Sequence, residues 1–358
     1  MYRVPGKQEN AVFEATLREI EYLANYFDTI TWMGYTRGVL KPGLGRIPNK
    51  ANLKLVLFPA AVGGNSFFKK LKIIPFIPKL LVMVLNELAR HEIIHTRGPS
   101  TPALLTLLIS FVWKKKYWHK YAGNWRQESP PLSYRIQRSL LRKSKDFIAV
   151  NGRLATDPEN IVTFENPCFT EAELMAANDT ARNFSDKHNL LFVGRLEWEK
   201  GILALMQAYK SLSNRFDLLV VGHGKDEEEV HRFARENRLP VRFYGMVGRD
   251  ELNKLYAHSH FLVLPTVASE GFPKVLAEAA GFGCIPVTTG ISSIGDYVTH
   301  GVNGLILGQA TPESIHFVLT NLPNAEHLHA MAESAKDMAK LYTYSRYWQR
   351  LKEYLNFD

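Results

Sequence analysis

Phe261-Leu262-Val263-Leu264-Pro265, followed shortly by Ser269-Glu270-Gly271-Phe272-Pro273-Lys274-Val275-Leu276-Ala277-Glu278-Ala279-Ala280, reads as a strand, a turn and a helix. The first run has the length and unbroken hydrophobicity of a parallel strand buried on both faces. Pro273 suits the first position of a helix, where its missing N–H is no loss. This order puts Glu270 at the carboxyl end of a strand, facing a helix N-terminus, where open α/β sheets bind ligands. Glu278 falls inside the helix among Val275, Leu276, Ala279 and Ala280. A carboxylate in such surroundings requires a partner or a polar ligand. The competing reading is a surface glutamate on a half-buried helix.

The same rhythm continues on both sides of this stretch. Leu190–Val193, Leu218–Val221, Val241–Tyr244, Ile285–Thr288 and Leu305–Leu307 read as further short apolar strands, with helices near 201–213, 226–237, 250–258, 273–282 and 312–321 between most of them. Alternation of this kind predicts a doubly wound parallel sheet. The first half repeats it less cleanly. A helix over 11–26 leads to Thr29–Met33, Leu53–Phe58, a helix over 78–89, Ile93–His95, a helix over 101–113, Tyr117–Tyr121, a helix over 131–144 and Phe147–Val150. Met1–Asn10 carries no apolar strand ahead of that first helix, although a doubly wound sheet normally starts on a central strand. The expected organisation is a first Rossmann-like domain over 1–170, a second over 171–340, and a terminal helix over 341–358 that returns to the junction. The polar stretch 165–188, with Asn166-Pro167 and Asn178-Asp179, marks the boundary.

Length and composition agree with two domains. The chain has 358 residues, 46% of them hydrophobic and 22% charged, as in ordinary globular proteins. Its charge is lopsided: residues 1–150 hold 24 Lys+Arg against 9 Asp+Glu, and residues 151–358 hold 20 against 26. A basic first half points to a polyanion or an anionic membrane surface. Within it, Phe67–Leu81 interleaves apolar residues with lysines as an interfacial segment would, although Pro75 and Pro78 forbid one continuous helix. A core helix beginning near Pro78, with a solvated basic lead-in, is the plainer alternative, and Lys114-Lys115-Lys116 reads as a solvated turn. Cys168 and Cys284 form no metal or disulfide pattern, in keeping with a reducing compartment. No secretory signal opens the chain, and no apolar run reaches the roughly 18 residues of a membrane span. The expected location is cytoplasmic, peripheral on the inner face of the plasma membrane. Aromatic-basic modules of nucleic-acid binders are missing.

Two further loops carry suggestive chemistry. Gly194-Arg195-Leu196-Glu197-Trp198-Glu199-Lys200-Gly201 sets Arg195 and Lys200 around a strand-to-helix turn. Arginine grips phosphate oxygens in paired hydrogen bonds, and lysine adds a point charge. Gly222-His223-Gly224 follows the next strand, and its glycines permit close backbone approach to a ligand. Glu227 stands where a dinucleotide-binding fingerprint would need its third glycine, so that motif is ruled out.

Gly194-Arg195 with Lys200-Gly201, then Val221–Gly224, Phe243–Gly245, and Ser269–Phe272 with Glu278, together resemble the retaining glycosyltransferases of family 4, the glycosyl transferases of group 1. The resemblance spans about residues 188–308 and includes Asn303-Gly304-Leu305. It implies a GT-B architecture of two facing Rossmann-like domains, here with the first strand of the N-terminal domain missing. It further implies a sugar moved from a nucleoside diphosphate donor, a UDP- or GDP-sugar, to a glycan or lipid-linked glycan in cell-surface polysaccharide assembly.

Roles follow residue by residue from the resemblance. Arg195 and Lys200 would hold the diphosphate and stabilise the leaving nucleotide, while Glu270 would contact the transferred sugar near its reacting carbon. Glu278 would accept from the ribose hydroxyls. Gly194, Gly222, His223 and Gly224 would line the donor, Tyr244, Gly245 and Met246 the base, and the N–H groups around Gly271 and Phe272 would face sugar or phosphate oxygens. No Asp-x-Asp occurs, so neither a catalytic metal nor another cofactor is implied. On the acceptor side, Gly6 would be the remnant of a glycine-rich loop. His95 and Arg97 stand where many relatives carry His-x-His, and Arg97 cannot act as a base at neutral pH. An N-terminally truncated, nucleotide-binding but catalytically impaired homologue and a GT-B sugar-nucleotide epimerase are the alternative readings.

Overall fold

A computed structural model describes residues 1–4, 9–36, 38, 45–58, 74–184 and 187–356. The chain divides into two compact units. The first comprises Met1–Gly123, Glu128–Thr163 and Arg350–Asp358; the second comprises Asn124–Gln127 and Phe164–Gln349. Gly6 and residues 67–73 of the basic apolar segment lie outside the described residues.

The first unit contains strands β1 (Tyr2–Arg3), β2 (Asn10–Phe13), β3 (Ile30–Gly34), β4 (Gly45–Arg46), β5 (Leu53–Leu57), β6 (Ile93–Gly98), β7 (Lys116–Asn124), β8 (Phe147–Asn151) and β9 (Ile161–Thr163). They form three separate sheets: β1-β2-β4, β3-β5 and β6-β7-β8-β9. β1 and β4 flank β2 antiparallel, whereas β3 pairs β5 and β6 pairs β7 in parallel. The predicted helix over 11–26 is therefore shorter, Glu14–Leu23, and begins where β2 ends. Phe13 keeps non-helical angles, because Ala11 and Val12 are buried as strand residues. Met1–Asn10, expected to hold no apolar strand, contributes only the two-residue β1 and the first residue of β2 among the described residues.

The helix Ile77–Arg90 starts beside Pro78, whose fixed backbone suits a first turn, and buries Leu80, Val84 and Leu88 every fourth residue. Of the described part of the basic apolar segment, residues 74–81, Leu80 alone is buried, and Ile74 and Phe76 are exposed. Lys115, expected in a solvated turn, donates to the carbonyls of Leu88 and His91 at the far end of that helix. No helix among the described residues is long and apolar enough to cross a membrane.

The second unit is a single parallel sheet of β10 (His188–Val193), β11 (Phe216–Val221), β12 (Val241–Gly245), β13 (Phe261–Leu264), β14 (Ile285–Thr289) and β15 (Leu305–Leu307), in the order β12-β11-β10-β13-β14-β15. From β10 the chain builds outward through β11 to β12, then returns to the other side of β10 for β13, β14 and β15. Neighbouring strands β10 and β13 are thus where the winding reverses. All four residues of β13 are fully buried, as its unbroken apolar run requires. The helix Glu171–Asn178 falls in the stretch read as a polar boundary. Its capping box, Thr170 with Glu173, satisfies backbone N–H groups reciprocally at the helix start.

Candidate donor site of the second unit

Reversal of the winding between β10 and β13 sends the chain away from their carboxyl ends in opposite directions, which opens a crevice above the sheet. The loop after β10 (194–201) and the loop after β13 (265–273) border it. The β10 loop closes in a short 3₁₀ turn, Trp198–Lys200, and Gly201 then takes a left-handed φ of 78° to start the helix Ile202–Leu212. A Cβ on Gly201 would overlap the Pro265 carbonyl of the neighbouring loop, so glycine is required there twice over. The loops are tied to each other by main chain: Val267 N–H donates to Glu199 O at 2.7 Å, and Thr266 Oγ1 donates to the same oxygen at 3.1 Å.

These ties bring Lys200 and Glu270 together. Lys200 Nζ donates to Glu270 Oε1. Lys200 is 7% exposed, while the Glu270 side chain stays 35% open to solvent. The structure thus delivers a nearly buried ammonium and an accessible carboxylate at the crevice. Arg195 is more exposed and pairs with Glu197 two residues on, a partner the sequence pattern left unassigned.

On the other flank, the β10 and β11 ends are equally joined. Gly194 N–H donates to Val221 O at 3.0 Å, Leu196 N–H to His223 O at 3.2 Å, and Gly222 N–H to Gly245 O at 2.8 Å. Gly222 has φ 140°, and a Cβ there would collide with the Gly194 carbonyl oxygen. Gly224 lies against Leu196 in the same way. These glycines therefore serve close approach between loops. His223 is exposed and pairs through Nδ1 with Glu227. Tyr244 is half-buried, Gly245 has φ 63° with open space where a Cβ would be, and Met246 is exposed.

Beyond Glu270, Gly271 and Phe272 are buried. The Phe272 ring packs into the core against Tyr297 and Tyr342, with centroids 5.1 and 5.0 Å away, so only its main chain remains for a ligand. Pro273 is the N-cap of the helix Lys274–Gly281, one position earlier than predicted, and supplies no side-chain cap. A helix start of this kind offers N–H groups to an anion.

Glu278 is buried, as its apolar flanks required, and the partner comes from the protein. Arg249 Nη1 donates to Oε1 at 2.7 Å and Tyr256 Oη donates to Oε2 at 3.1 Å. Burial alone would raise the Glu278 pKa, but the Arg249 charge and hydrogen bond outweigh it and hold the carboxylate below its ordinary value. The same contact raises the Arg249 pKa against burial. Sequence reading missed both partners. Arg249 opens the helix Arg249–His258 and Tyr256 ends its second turn, seven positions apart on one face. The only prior signal was a basic residue and a tyrosine at that helical spacing.

The acceptor-side candidates His95 and Arg97 lie in the first unit on β6. The His95 ring stacks on Trp118 with a centroid distance of 3.8 Å, and its Nδ1 is 3.1 Å from Trp118 O. Burial, assisted by the nearby Lys120 charge, pushes its pKa down to about 3, so the ring is neutral. Arg97 Nη1 donates at 3.1 Å to Glu19, which is fully buried and also receives Lys120 at 2.8 Å.

Residues 187–322 match the family model described as glycosyl transferases group 1. Among curated proteins, the chain is similar to an uncharacterized glycosyltransferase of Methanocaldococcus jannaschii, 28% identical over 46% of each chain. It is also similar to the lipopolysaccharide 1,2-N-acetylglucosaminetransferase of Salmonella typhimurium, 27% identical over 46% of this chain and 47% of that one. The chain spans about half the length of these relatives. Among solved structures, it resembles Anabaena HepE in complex with UDP and glucose, with a TM-score of 0.70 and 16% identity over 99% of this chain and 98% of that one. Sucrose-phosphate synthase of Thermosynechococcus elongatus superposes with a TM-score of 0.71 and 16% identity, over 94% and 90% of the two chains. The fold is therefore α/β of the GT-B type, with Rossmann-like units.

Proposed function

We propose that this protein is a retaining, metal-independent glycosyltransferase of family 4 that moves a sugar from a nucleoside diphosphate donor to a glycan or lipid-linked glycan. The observation that carries this reading is the meeting of Lys200 and Glu270 at the point where the sheet reverses its winding. The group 1 match over 187–322 covers both residues, and HepE was crystallised with UDP and glucose. In this reading Lys200 and Arg195 neutralise charge that builds on the departing diphosphate. Diphosphate binding releases part of Lys200 from Glu270, whose second oxygen then accepts from a hydroxyl of the transferred sugar. Main-chain N–H groups at Gly271 and Phe272 face the phosphate or sugar oxygens, and Tyr244, Gly245 and Met246 border the base. Glu278, aligned by Arg249 and Tyr256, accepts from the ribose hydroxyls with its remaining lone pairs. Gly194, Gly222, His223 and Gly224 complete the wall.

The basic first half supports an anionic surface as the setting, with polysaccharide assembly on the cytoplasmic face of the membrane. Calorimetric titration with UDP-, GDP- and ADP-sugars tests the donor class. Binding of one of them, lost in Glu278→Gln with the fold intact by circular dichroism, is the expected result. No binding of any nucleotide sugar would overturn the reading. Anomer-resolved NMR of the product decides retention against inversion.

A further inference from the structure

We propose that the outer surface of the helices Ile77–Arg90, Thr101–Ser110 and Leu132–Lys143 in the first unit docks on an anionic bilayer, with Leu108, Phe111 and Val112 entering its interface. This surface gives the anionic setting of the proposed function, on which it rests for that setting alone, a defined place on the molecule. The donor site belongs to the other unit, so the two are tested apart.

The helix Thr101–Ser110 carries no charged residue, and apolar side chains occur all round it. A helix of that composition is ordinarily buried on every side. This one joins the parallel strands β6 and β7 and packs on β6 and on the helices Ile77–Arg90 and Leu132–Lys143. It buries Ala103, Thr106, Leu107 and Ser110. Its other side is left in water. Leu108 is exposed, and so are Phe111 and Val112 in the turn that continues the helix, at the i, i+3, i+4 spacing of one helical face. Val112 is 84% exposed, more than any other large hydrophobic residue among those described. The flanking helices extend the exposed apolar surface through Val82, Leu132 and Ile136. Apolar groups gathered in this way mark an interaction surface. The turn is also held in place: Lys115 donates to the Leu88 and His91 carbonyls, and Tyr117 Oη to Trp113 O at 2.9 Å.

The charges around these residues have one sign. The three helices contain a single carboxylate, Glu87, and both Arg90 and His91 face it at 3.4 Å. Lys79, Lys114, Lys116, Arg135 and Lys143 are all exposed. A polynucleotide would engage these cations through its phosphates but leave the aliphatic groups in water. An anionic bilayer takes both. The aliphatic groups enter the boundary between headgroups and acyl chains, and lysine and arginine reach the anionic headgroups on their apolar stems.

A dye on the exposed turn tests the proposal in the full chain. Cys168 and Cys284 are buried, so Val112→Cys can be labelled selectively with a nitrobenzoxadiazole dye. Asn214→Cys, at an exposed position of the second unit, is the control. Both are titrated with vesicles of phosphatidylcholine, with vesicles that also contain phosphatidylglycerol, and with a homopolymer RNA. Emission at position 112 is expected to rise several-fold with the anionic vesicles alone and to be quenched by bromine in their acyl chains, while position 214 stays unchanged. Lys114→Glu combined with Lys116→Glu is expected to weaken cosedimentation of the unlabelled chain with these vesicles by about tenfold or more. Calorimetric titration with nucleotide sugars should not distinguish that variant from the parent, so failure of the docking surface and failure of the donor reading are told apart. Cosedimentation without a change at position 112 would overturn the surface, because another region would then hold the bilayer. No cosedimentation with anionic vesicles at low salt would overturn the proposal altogether. Binding to the RNA in preference to the vesicles would assign the cations to a polynucleotide and overturn it equally.

Discussion

Arg249 Nη1 lies 2.7 Å from Glu278 Oε1, and this contact keeps a carboxylate ionised inside a helix that has almost no water around it. Removing the arginine leaves that charge buried without its cation. Arg249→Met is therefore expected to destabilise the second unit by about 3 kcal/mol at pH 7. The pH dependence has a definite sign. The folded-state pKa of Glu278 is depressed, so its contribution is present above the ordinary glutamate value and is lost as pH falls through the range below it. In Arg249→Met, protonation instead relieves the buried charge, and the stability gap to the parent chain should narrow at pH 3. Denaturant midpoints at the two pH values measure it; a gap that widens in acid contradicts the assignment.

Lys200 is nearly buried and its ammonium is paired with Glu270. Lys200→Met keeps the apolar stem and removes the charge. If the lysine stabilises the leaving diphosphate, kcat should fall by about a hundredfold or more while the melting temperature moves little. Steady-state kinetics with the donor identified by calorimetry gives the answer, and an unchanged kcat would exclude this role.

Gly222 and Gly245 both have positive φ, but their surroundings differ. A side chain at Gly245 meets open space, and Gly245→Ala should cost only the left-handed penalty, about 1 kcal/mol. At Gly222 the added Cβ also collides with the Gly194 carbonyl, so Gly222→Ala should cost at least about twice as much and disturb the β10 loop. Thermal melts of the two variants side by side check this ordering.

His260 is held neutral by its contacts. Nδ1 accepts from Asn189 N–H at 2.9 Å and Nε2 faces Asn183 O at 2.8 Å, which leaves no acceptor for a second ring proton. Burial is the main cause that lowers its pKa from 6.5 to about 4. The unfolded chain takes up the proton first, so stability should decline as pH falls from 6.5 towards 4. His260→Gln offers one acceptor and one donor without titrating. Its stability should vary less than the parent's across that window in urea titrations.

Much of the second unit is legible without coordinates because its strands are continuous apolar runs and its glycines sit where loops meet. Leu190–Val193 and Phe261–Leu264 carry their burial in their composition. Lys200 and Glu270 are seventy residues apart, and only the reversal of the sheet explains their contact. Arg249 escaped notice because an arginine opening a helix resembles any surface residue until the buried carboxylate opposite is known. In the first unit, Asn10–Phe13 has too few residues to distinguish a strand from a helix start by periodicity. Its antiparallel pairing with Tyr2–Arg3 and Gly45–Arg46 settles the matter. Glu19 is similarly opaque: its helix reads as amphipathic, yet this carboxylate faces inward to Lys120 and Arg97.

The main-chain ties among the loops after β10, β11, β12 and β13 have a consequence for diversification. Because carbonyl and amide groups hold Gly194, Gly222, Gly245 and Val267 in place, the frame is indifferent to most side chains that hang from it. Under the proposed function, substitutions at exposed positions such as His223 and Met246 would alter donor preference without moving these main-chain ties. Selectivity and scaffold are thereby inherited separately.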